Sequence, residues 1–233
     1  MEHEALRTAV YRANLELVEA GLVILTWGNV SGADREAGVM AIKPSGVRYH
    51  AMQPEDVVVV SLDTGQVVDG RLRPSSDTPT HLHLYREFAG VGGVAHTHSP
   101  HAVSWAQAME ELPCLGTTHA DYFHGPVPVT RRLREDEIHD DYEHHTGAAI
   151  VERFKGGGID PNGVPAVLVA AHGPFTWGAT PAAAVENAVV LEAAARMALY
   201  TRFLDPRASG IEQPLLDRHF LRKHGPGAYY GQR

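Results

Sequence analysis

The sequence predicts an α/β fold in which helices cover a mixed or mostly antiparallel sheet. Short segments rich in β-branched residues alternate with longer segments of helical periodicity, and hairpin-like turns join the early strands. With 233 residues, of which 44% are hydrophobic and 21% are charged, the chain is long enough to bury a sizeable core. Because the sequence shows no low-complexity tract, solenoid repeat or linker, we expect one domain over residues 1–233.

Apolar spacing defines the first helix and the early strands. Leu6, Val10, Ala13 and Leu17 recur at helical spacing over residues 2–20, and Gly21 suits the end of that helix. The next three segments are mostly rich in β-branched residues and lie beside short turns of Pro, Ser, Asp and Gly. They predict strands at residues 39–43, 57–61 and 66–68.

A second group of elements occupies the middle and the end of the chain. A helix is expected to begin near Asp77-Thr78-Pro79 and to run towards Phe88, because Asp or Thr suits an N-cap and Pro suits a first helical turn. The later patterns predict a strand at residues 94–98, a helix at 101–110, a buried strand at 166–170 and an alanine-rich helix at 181–204.

Charge and composition argue against a nucleic-acid or membrane partner. The chain has 20 basic and 28 acidic residues, a formal charge of −8, and no basic face. Its start lacks a signal-peptide pattern, and no apolar run approaches the roughly 20 residues of a membrane span. The lone Cys114 excludes an internal disulfide and is interpreted as a small apolar core residue. We therefore expect a cytoplasmic protein.

His96 and His98 are the first candidate metal ligands among the 15 histidines. In an extended strand, residues two apart project from the same face, and neutral imidazole is a common ligand of zinc and similar ions. His81 and His83 have the same spacing but lie on a predicted helix, where two positions correspond to about 200° of rotation. That second pair is therefore not expected to chelate.

His172 and Asp77 are further candidate ligands. His172 follows an apolar strand and precedes Gly173-Pro174, so rigid backbone holds it at a strand end where it can face a cleft. Capping or packing is its alternative role. Asp77 could add an oxygen ligand, but it is equally suited to be the N-cap of the following helix.

Three clusters of small residues are candidates for phosphate binding. They are Gly28-Asn29, Lys43-Pro44-Ser45-Gly46 and Ser75-Ser76. The last cluster immediately precedes a predicted helix start, where free amides and the helix dipole favour an anion. Each cluster taken separately is also typical of an ordinary turn.

Motifs spread over nearly the whole chain resemble the class II aldolase and epimerase family. They include Leu-Thr-Trp-Gly-Asn-Val-Ser at 25–31, Ile-Lys-Pro-Ser-Gly-Val at 42–47 and Pro-Ser-Ser-Asp-Thr-Pro-Thr-His at 74–81. The others lie, in the family's order, at residues 96–99, 116–123, 172–175, 221–225 and 228–232. Asp77 follows the paired serines, as in the epimerases of this family, whereas its aldolases typically carry Glu there.

The resemblance implies an α/β/α sandwich with a central, largely antiparallel sheet, and a divalent metal, usually zinc. It implies a cyclic homotetramer in which Tyr230 reaches a neighbouring subunit's site. The implied metal ligands are Asp77, His96, His98 and His172, and the implied acid/base residues are Asp121 and Tyr230, with Thr117 and His219 secondary. The implied substrate-binding residues are Gly28, Asn29, Lys43, Ser45, Gly46, Ser75 and Ser76.

The activity that the resemblance implies is the 4-epimerisation of L-ribulose 5-phosphate to D-xylulose 5-phosphate. Because C4 carries no acidic proton, the expected route is retro-aldol cleavage of the C3–C4 bond, rotation of the aldehyde and re-addition. Two alternatives remain open, namely a sugar-phosphate aldolase of the fuculose or rhamnulose type and a non-catalytic, adducin-like binding module. Without the resemblance, Asp121 is typical of a turn and Tyr230 of a chain terminus.

Overall fold

Seven strands form one sheet within residues 2–230, the part of the chain that this computed structural model describes. In chain order they are β1 (Asn29–Asp34), β2 (Val39–Ile42), β3 (Val58–Ser61), β4 (Val67–Asp69), β5 (Gly93–His96), β6 (Ala166–Leu168) and β7 (Pro174–Gly178). Their order across the sheet is β4-β3-β2-β1-β5-β7-β6, and each adjacent pair is antiparallel. The predicted α/β class with a largely antiparallel sheet is confirmed.

Eight α-helices accompany the sheet in the same range of residues. Short 3₁₀ turns at Tyr49–Ala51 and Pro54–Asp56 add to them, and none of these described helices has the length and apolar character of a membrane span. The α-helices are α1 (Glu4–Glu19), α2 (Thr78–Glu87), α3 (Pro100–Ala108), α4 (Thr117–Ala120), α5 (Glu135–His139), α6 (Tyr142–Gly157), α7 (Pro181–Leu204) and α8 (Gln213–His224).

Alternation of side chains along β2 shows how the sheet separates two helical layers. Met40 and Ile42 belong to the buried cluster that includes residues of α2 and α6, whereas Val39 and Ala41 pack with Val10 of α1 on the opposite face. Successive strand residues point to opposite faces, so one apolar strand can contribute to two cores. The sheet is thus covered by helices on both sides.

The second layer contains α7, whose alanines contact both the sheet and neighbouring helices. Ala184 and Ala188 lie in one buried cluster with Leu17 of α1, and Ala195 lies in another with Trp105 of α3. Small side chains bring the helix axis close to its neighbours. Helices α2 and α6 lie on one face and α1, α3 and α7 on the other, which confirms the α/β/α sandwich.

Several elements differ from the prediction. Strands β1 and β7 and helices α4, α5, α6 and α8 were not predicted. Strand β1 contains Val30 as its one β-branched residue, and pairing with β2 and β5 on its two sides makes it a strand. The predicted helix at 101–110 begins at Pro100 and ends at Ala108, because Met109 adopts a left-handed φ of 61°.

The strand register brings three chain-distant segments together at one edge of the fold. Asn29 of β1 is paired with His96 of β5, and His96 is paired with Phe175 of β7. The loop between β6 and β7 carries His172, and Asp77 immediately precedes α2. Asn29 and His172, which are 143 positions apart along the chain, therefore line one cleft.

Candidate metal centre and substrate cleft

Three imidazole side chains converge at the ends of β5 and β6. One ligand nitrogen from each of His96, His98 and His172 lies within 4.8 Å of the other two. The Nε2 atoms of His96 and His98 are 3.2 Å apart. Strand β5 ends at His96, so it is shorter than predicted. The His98 ring nevertheless lies beside the His96 ring, and the predicted convergence of these two rings is confirmed.

Backbone and ring contacts hold His96 in a defined tautomer. Its Nδ1 lies 2.9 Å from the carbonyl oxygen of Pro174, and its ring stacks on Phe175 at a centroid distance of 4.2 Å. A carbonyl oxygen only accepts hydrogen bonds, so Nδ1 is the protonated nitrogen. The lone pair of the neutral ring is therefore on Nε2, which faces His98.

His172 is positioned by a strained, tightly packed turn. The preceding Ala171 has a φ of 58°, which is uncommon for a residue other than glycine. A Cβ on the following Gly173 would lie 2.8 Å from the carbonyl oxygen of Thr97, so glycine is needed for this close approach. The Tyr142 hydroxyl lies 3.3 Å from Nδ1 of His172, which orients the ring.

Burial favours the neutral, ligating forms of two of these histidines. Burial lowers the pKa of His172 to about 3, with the neighbouring His96 acting in the same direction. Burial also lowers the pKa of His98. At neutral pH both rings are therefore uncharged and have a lone pair available.

Asp77 occupies the N-cap position of α2 without capping it. Its carboxylate accepts no side-chain capping bond from the helix amides; instead, Oδ2 accepts a hydrogen bond of 2.6 Å from Nδ2 of Asn29. Burial acts to raise the pKa of Asp77, but His96 and His81 lower it, and the net pKa is below the usual value. The two roles considered from the sequence are thus separated: the backbone begins the helix and the carboxylate faces the cleft.

The three histidines form a group whose spacing suits a metal ion, and Asp77 lines the same cleft as a candidate fourth ligand. Three imidazole nitrogens and one carboxylate oxygen form a donor set typical of zinc. For Zn–N bonds of about 2.0–2.1 Å, the edge of a tetrahedron is about 3.3 Å, and the Nε2 atoms of His96 and His98 are separated by 3.2 Å. The chemistry of the donors matches such an ion, and so does the spacing of these two histidine nitrogens.

The metal-binding candidates open into a cleft of about 520 Å³. Gly28 has a φ of 93°, and a Cβ there would lie 2.8 Å from the carbonyl oxygen of His96, so this turn requires glycine. The cleft is lined by all seven residues that were predicted to bind substrate, which are Gly28, Asn29, Lys43, Ser45, Gly46, Ser75 and Ser76, together with Asp77, His96, His98 and His172.

The phosphate-binding candidates lie on two loops that a backbone bridge holds together. The amide of Ser45 donates to the carbonyl of Arg73, and that of Ser75 donates to the carbonyl of Lys43. These two amides are therefore occupied, and an anion would be bound by the serine hydroxyls and the lysine. Burial lowers the pKa of Lys43 to about 8, and its Nζ lies 4.8 Å from the centroid of the Tyr49 ring.

Sequence reasoning missed several residues that line the cleft. Tyr142 and Glu143 begin α6, a helix that was not predicted, and they reach the cleft beside His172. Trp27 is a half-exposed residue at the rim of the cleft, and its ring lies 6.0 Å from that of His98. Thr26 and Pro44 complete the lining. The apolar spacing of Ile150 and Phe154 was the available signal for α6.

The predicted acid/base residues form a separate cluster that does not line this cleft. Asp121 follows the short helix α4, rather than lying in a simple turn, and its Oδ1 is 2.9 Å from Nδ1 of His219 on α8. Thr117 begins α4, and its carbonyl accepts the Asp121 amide. The Tyr230 side chain is exposed near the end of the described chain. Within this chain, the structure therefore brings the predicted ligands and phosphate contacts together but not the predicted proton-transfer groups.

His81 and His83 project from different faces of α2, as their spacing on a helix predicts. His81 is fully buried, its Nδ1 lies 2.7 Å from the Ser31 hydroxyl, and burial lowers its pKa to about 3. His83 projects from another face of α2 and its ring lies 5.1 Å from that of His144. The two rings thus have different surroundings and do not form a joint metal site.

Comparison with known proteins assigns the family. The model of the class II aldolase and adducin N-terminal domain matches residues 8–199. The chain is 52% identical to an L-ribulose-5-phosphate 4-epimerase UlaF of Salmonella paratyphi B over 230 residues, which cover 99% of this chain and 100% of that protein. The corresponding protein of Salmonella typhi gives the same identity and coverage.

Solved structures agree with this assignment at the level of the fold. An L-fuculose 1-phosphate aldolase superposes with a TM-score of 0.78 at 24% identity, covering 94% of this chain and 96% of that one. YgbL from Klebsiella pneumoniae superposes with a TM-score of 0.73 at 22% identity, covering 94% of this chain and 99% of that one. The chain therefore belongs to the class II aldolase and adducin N-terminal domain family.

Proposed function

We propose that the chain is a metal-dependent L-ribulose-5-phosphate 4-epimerase that forms D-xylulose 5-phosphate. The observation that carries this proposal is the placement of Asp77, His96, His98 and His172 in the same cleft as the Lys43 and Ser75 loops. A metal site beside a phosphate site suits a sugar phosphate whose carbonyl end and phosphate end are held apart. The near full-length identity to proteins of that name supports the substrate.

The bond that must break explains why the cleft needs both sites. C4 of the ketose carries no acidic proton, so inversion without a redox cofactor requires cleavage of the C3–C4 bond and re-addition on the other face of the aldehyde. Asp77, His96, His98 and His172 would hold a divalent ion, which when bound would supply Lewis-acid chemistry at the carbonyl end of the substrate. Lys43, Ser45 and Ser75 retain the phosphate of the aldehyde half while it turns, and Asn29 holds Asp77.

Proton transfer completes the proposed mechanism and requires a second subunit. Asp121 and Tyr230 would serve the two faces of C4, with Thr117 and His219 beside them. Because these residues do not line the cleft of their own subunit, we place the active site at the interface of a homotetramer. Large exposed apolar side chains, such as Phe203 and Leu204 at the end of α7, support burial of surface between subunits.

The finer attributes of the proposal follow from the donor chemistry and from the relatives. The imidazole-rich ligand set favours zinc over magnesium or calcium. We also propose that the enzyme acts in arabinose utilisation or in another pentose route such as ascorbate breakdown. The proposal further includes a cytoplasmic location and one domain over the whole chain. No role for nucleic acid or membrane is proposed, in keeping with the formal charge of −8.

Product analysis tests the proposal directly. Purified protein is incubated with L-ribulose 5-phosphate, with and without a chelator, and D-xylulose 5-phosphate and glycolaldehyde phosphate are quantified. We expect the epimer to accumulate and chelation to abolish turnover, with Asp77→Ala behaving like the chelated enzyme. Free glycolaldehyde phosphate without epimer would establish an aldolase instead. Unchanged turnover after complete metal removal would contradict the mechanism, and absence of turnover with bound metal would favour a binding module.

A further inference from the structure

The Arg222 side chain of α8 contacts both residues of the proposed acid/base pair, and Lys223 beside it lies near the same two groups, with Nζ 4.7 Å from the Tyr230 ring centroid. Nε and Nη2 of Arg222 donate to Oδ1 of Asp121 at 3.1 and 2.9 Å, and Nη2 also donates to Oδ2 at 2.8 Å. The Arg222 Cζ lies 4.8 Å from the ring centroid of Tyr230. The guanidinium thus lies against a carboxylate and an aromatic ring at once, two contacts that its planar shape allows simultaneously.

The backbone of Arg222 also sets the course of the chain that carries Tyr230. The amides of Tyr229 and Tyr230 both donate to the carbonyl oxygen of Arg222, at 3.0 and 3.2 Å. The segment after α8 therefore folds back onto this residue. Arg222 therefore contacts this segment twice. Its carbonyl oxygen binds the backbone, and its guanidinium lies against the Tyr230 ring.

We propose that Arg222 is a positioning residue that orients the Asp121 carboxylate and the Tyr230 ring for proton transfer. This inference rests on the proposed epimerase function, because it concerns the two groups that would serve opposite faces of C4. A carboxylate held by a two-nitrogen contact has one orientation and remains ionised, which suits a base. Arg222 itself would contact neither the substrate nor the metal.

Other charged and titratable groups surround Asp121 but do not orient it in this way. His219 contacts Oδ1, and Lys223 Nζ is 3.9 Å from Oδ2. His224 lies 2.9 Å from the backbone carbonyl, and the adjacent Tyr122 bonds to Glu186 of α7. Burial acts to raise the pKa of Asp121, but hydrogen bonds from Arg222 and His219 lower it overall. Lys223 and His219 contribute charge near Asp121, whereas the planar guanidinium of Arg222 fixes the orientation of its carboxylate.

The test compares Arg222→Gln and Arg222→Lys with a matched control, Arg218→Gln. Arg218 lies one turn earlier on α8, is exposed, and has its Cζ 5.6 Å from the Tyr229 ring. For each protein, kcat and KM for L-ribulose 5-phosphate, bound metal and oligomeric state are measured. We expect kcat of Arg222→Gln to fall by about 10- to 100-fold, a fraction of what acid–base catalysis supplies, with KM and bound metal unchanged. Arg222→Lys should recover little, and Arg218→Gln should match the wild type.

Two further readouts distinguish positioning from a structural role. Guanidinium ion added at millimolar concentration should partly restore kcat of Arg222→Gln. The acid limb of the pH profile should move to higher pH, because loss of Arg222 raises the pKa of Asp121. Equal kcat in Arg222→Gln and Arg218→Gln would overturn the inference, as would loss of metal or assembly that guanidinium does not reverse. Absence of epimerase activity in the wild type would overturn the proposed function and this inference with it.

Discussion

At the scale of single residues, the candidate site depends on side chains whose neighbours leave them one orientation. His96 is fixed by the Pro174 carbonyl and by stacking on Phe175, and Asp77 is held by Asn29. Such contacts behind a ligand set its tautomer and direction and raise its affinity for a metal. The proposed ligands are therefore held in place by the fold without the ion.

Replacing one proposed ligand should remove the metal, whereas replacing a histidine elsewhere should not. We expect His172→Ala to lose bound metal and to lower kcat/KM by at least about 100-fold, because the remaining donors hold the ion poorly. His83→Ala is the control, since His83 lies away from the cleft against His144. Metal content by atomic absorption and epimerase rate are measured together. Full metal occupancy in His172→Ala would contradict the ligand assignment.

Deprotonation of Lys43 should lower kcat/KM at alkaline pH. Burial lowers the pKa of Lys43 to about 8, so the free enzyme has a protonated lysine below that pH and a neutral one above it. Phosphate is bound by the protonated form, and kcat/KM is therefore expected to fall as pH rises through about 8. Arginine stays charged in this range, so Lys43→Arg should move the fall to higher pH. An unchanged alkaline limb in that variant would contradict the assignment.

At the scale of elements, the sequence predicts the helices and strands whose stabilising residues lie within the element itself. The bounds of α7 agree with the prediction because its alanine-rich pattern begins at Pro181 and its cap, Thr180, lies next to it. Strand β1 could not be predicted, because its strand conformation is set by pairing with β2 and β5. The ligands followed from the alternation of His96 and His98 and from family motifs. Arg222, in contrast, is connected to Asp121 only by folding.

The turn before β1 offers a test at this scale with two glycines of similar conformation. Gly28 and Gly38 both have positive φ, 93° and 68°, but a Cβ on Gly28 would meet the carbonyl of His96 at 2.8 Å and one on Gly38 would meet nothing within 4 Å. Gly38→Ala is expected to cost about 1 kcal/mol of stability, the backbone penalty alone. Gly28→Ala should cost more and weaken metal binding, because the strand that carries His96 must shift. Urea unfolding and metal titration measure the two effects, and equal results for both variants would contradict this explanation.

At the scale of the whole molecule, the separation of the two clusters is the reason why the proposed mechanism requires assembly. The cleft with the proposed ligands and the cluster around Asp121 belong to the same chain but not to the same site. A subunit that lacks a proposed metal ligand still carries intact acid/base residues. A subunit that lacks an acid/base residue still carries the intact ligand set. In the proposed cyclic assembly, each site would take one half from each of two neighbouring subunits.

Mixed assemblies should therefore recover activity that neither parent has. His98→Ala removes a metal ligand and Asp121→Asn removes a proton-transfer group, so each homotetramer should be nearly inactive. In a random equal mixture, a site is complete when its cleft comes from an Asp121→Asn subunit and its neighbour is a His98→Ala subunit. The chance of that arrangement is about one in four for a cyclic assembly, and we expect about a quarter of wild-type activity after subunits are dissociated and reassociated together. Mixing without dissociation is the control and should restore nothing. A reassociated mixture that stays inactive, although wild-type enzyme survives the same treatment, would show that each subunit completes its own site.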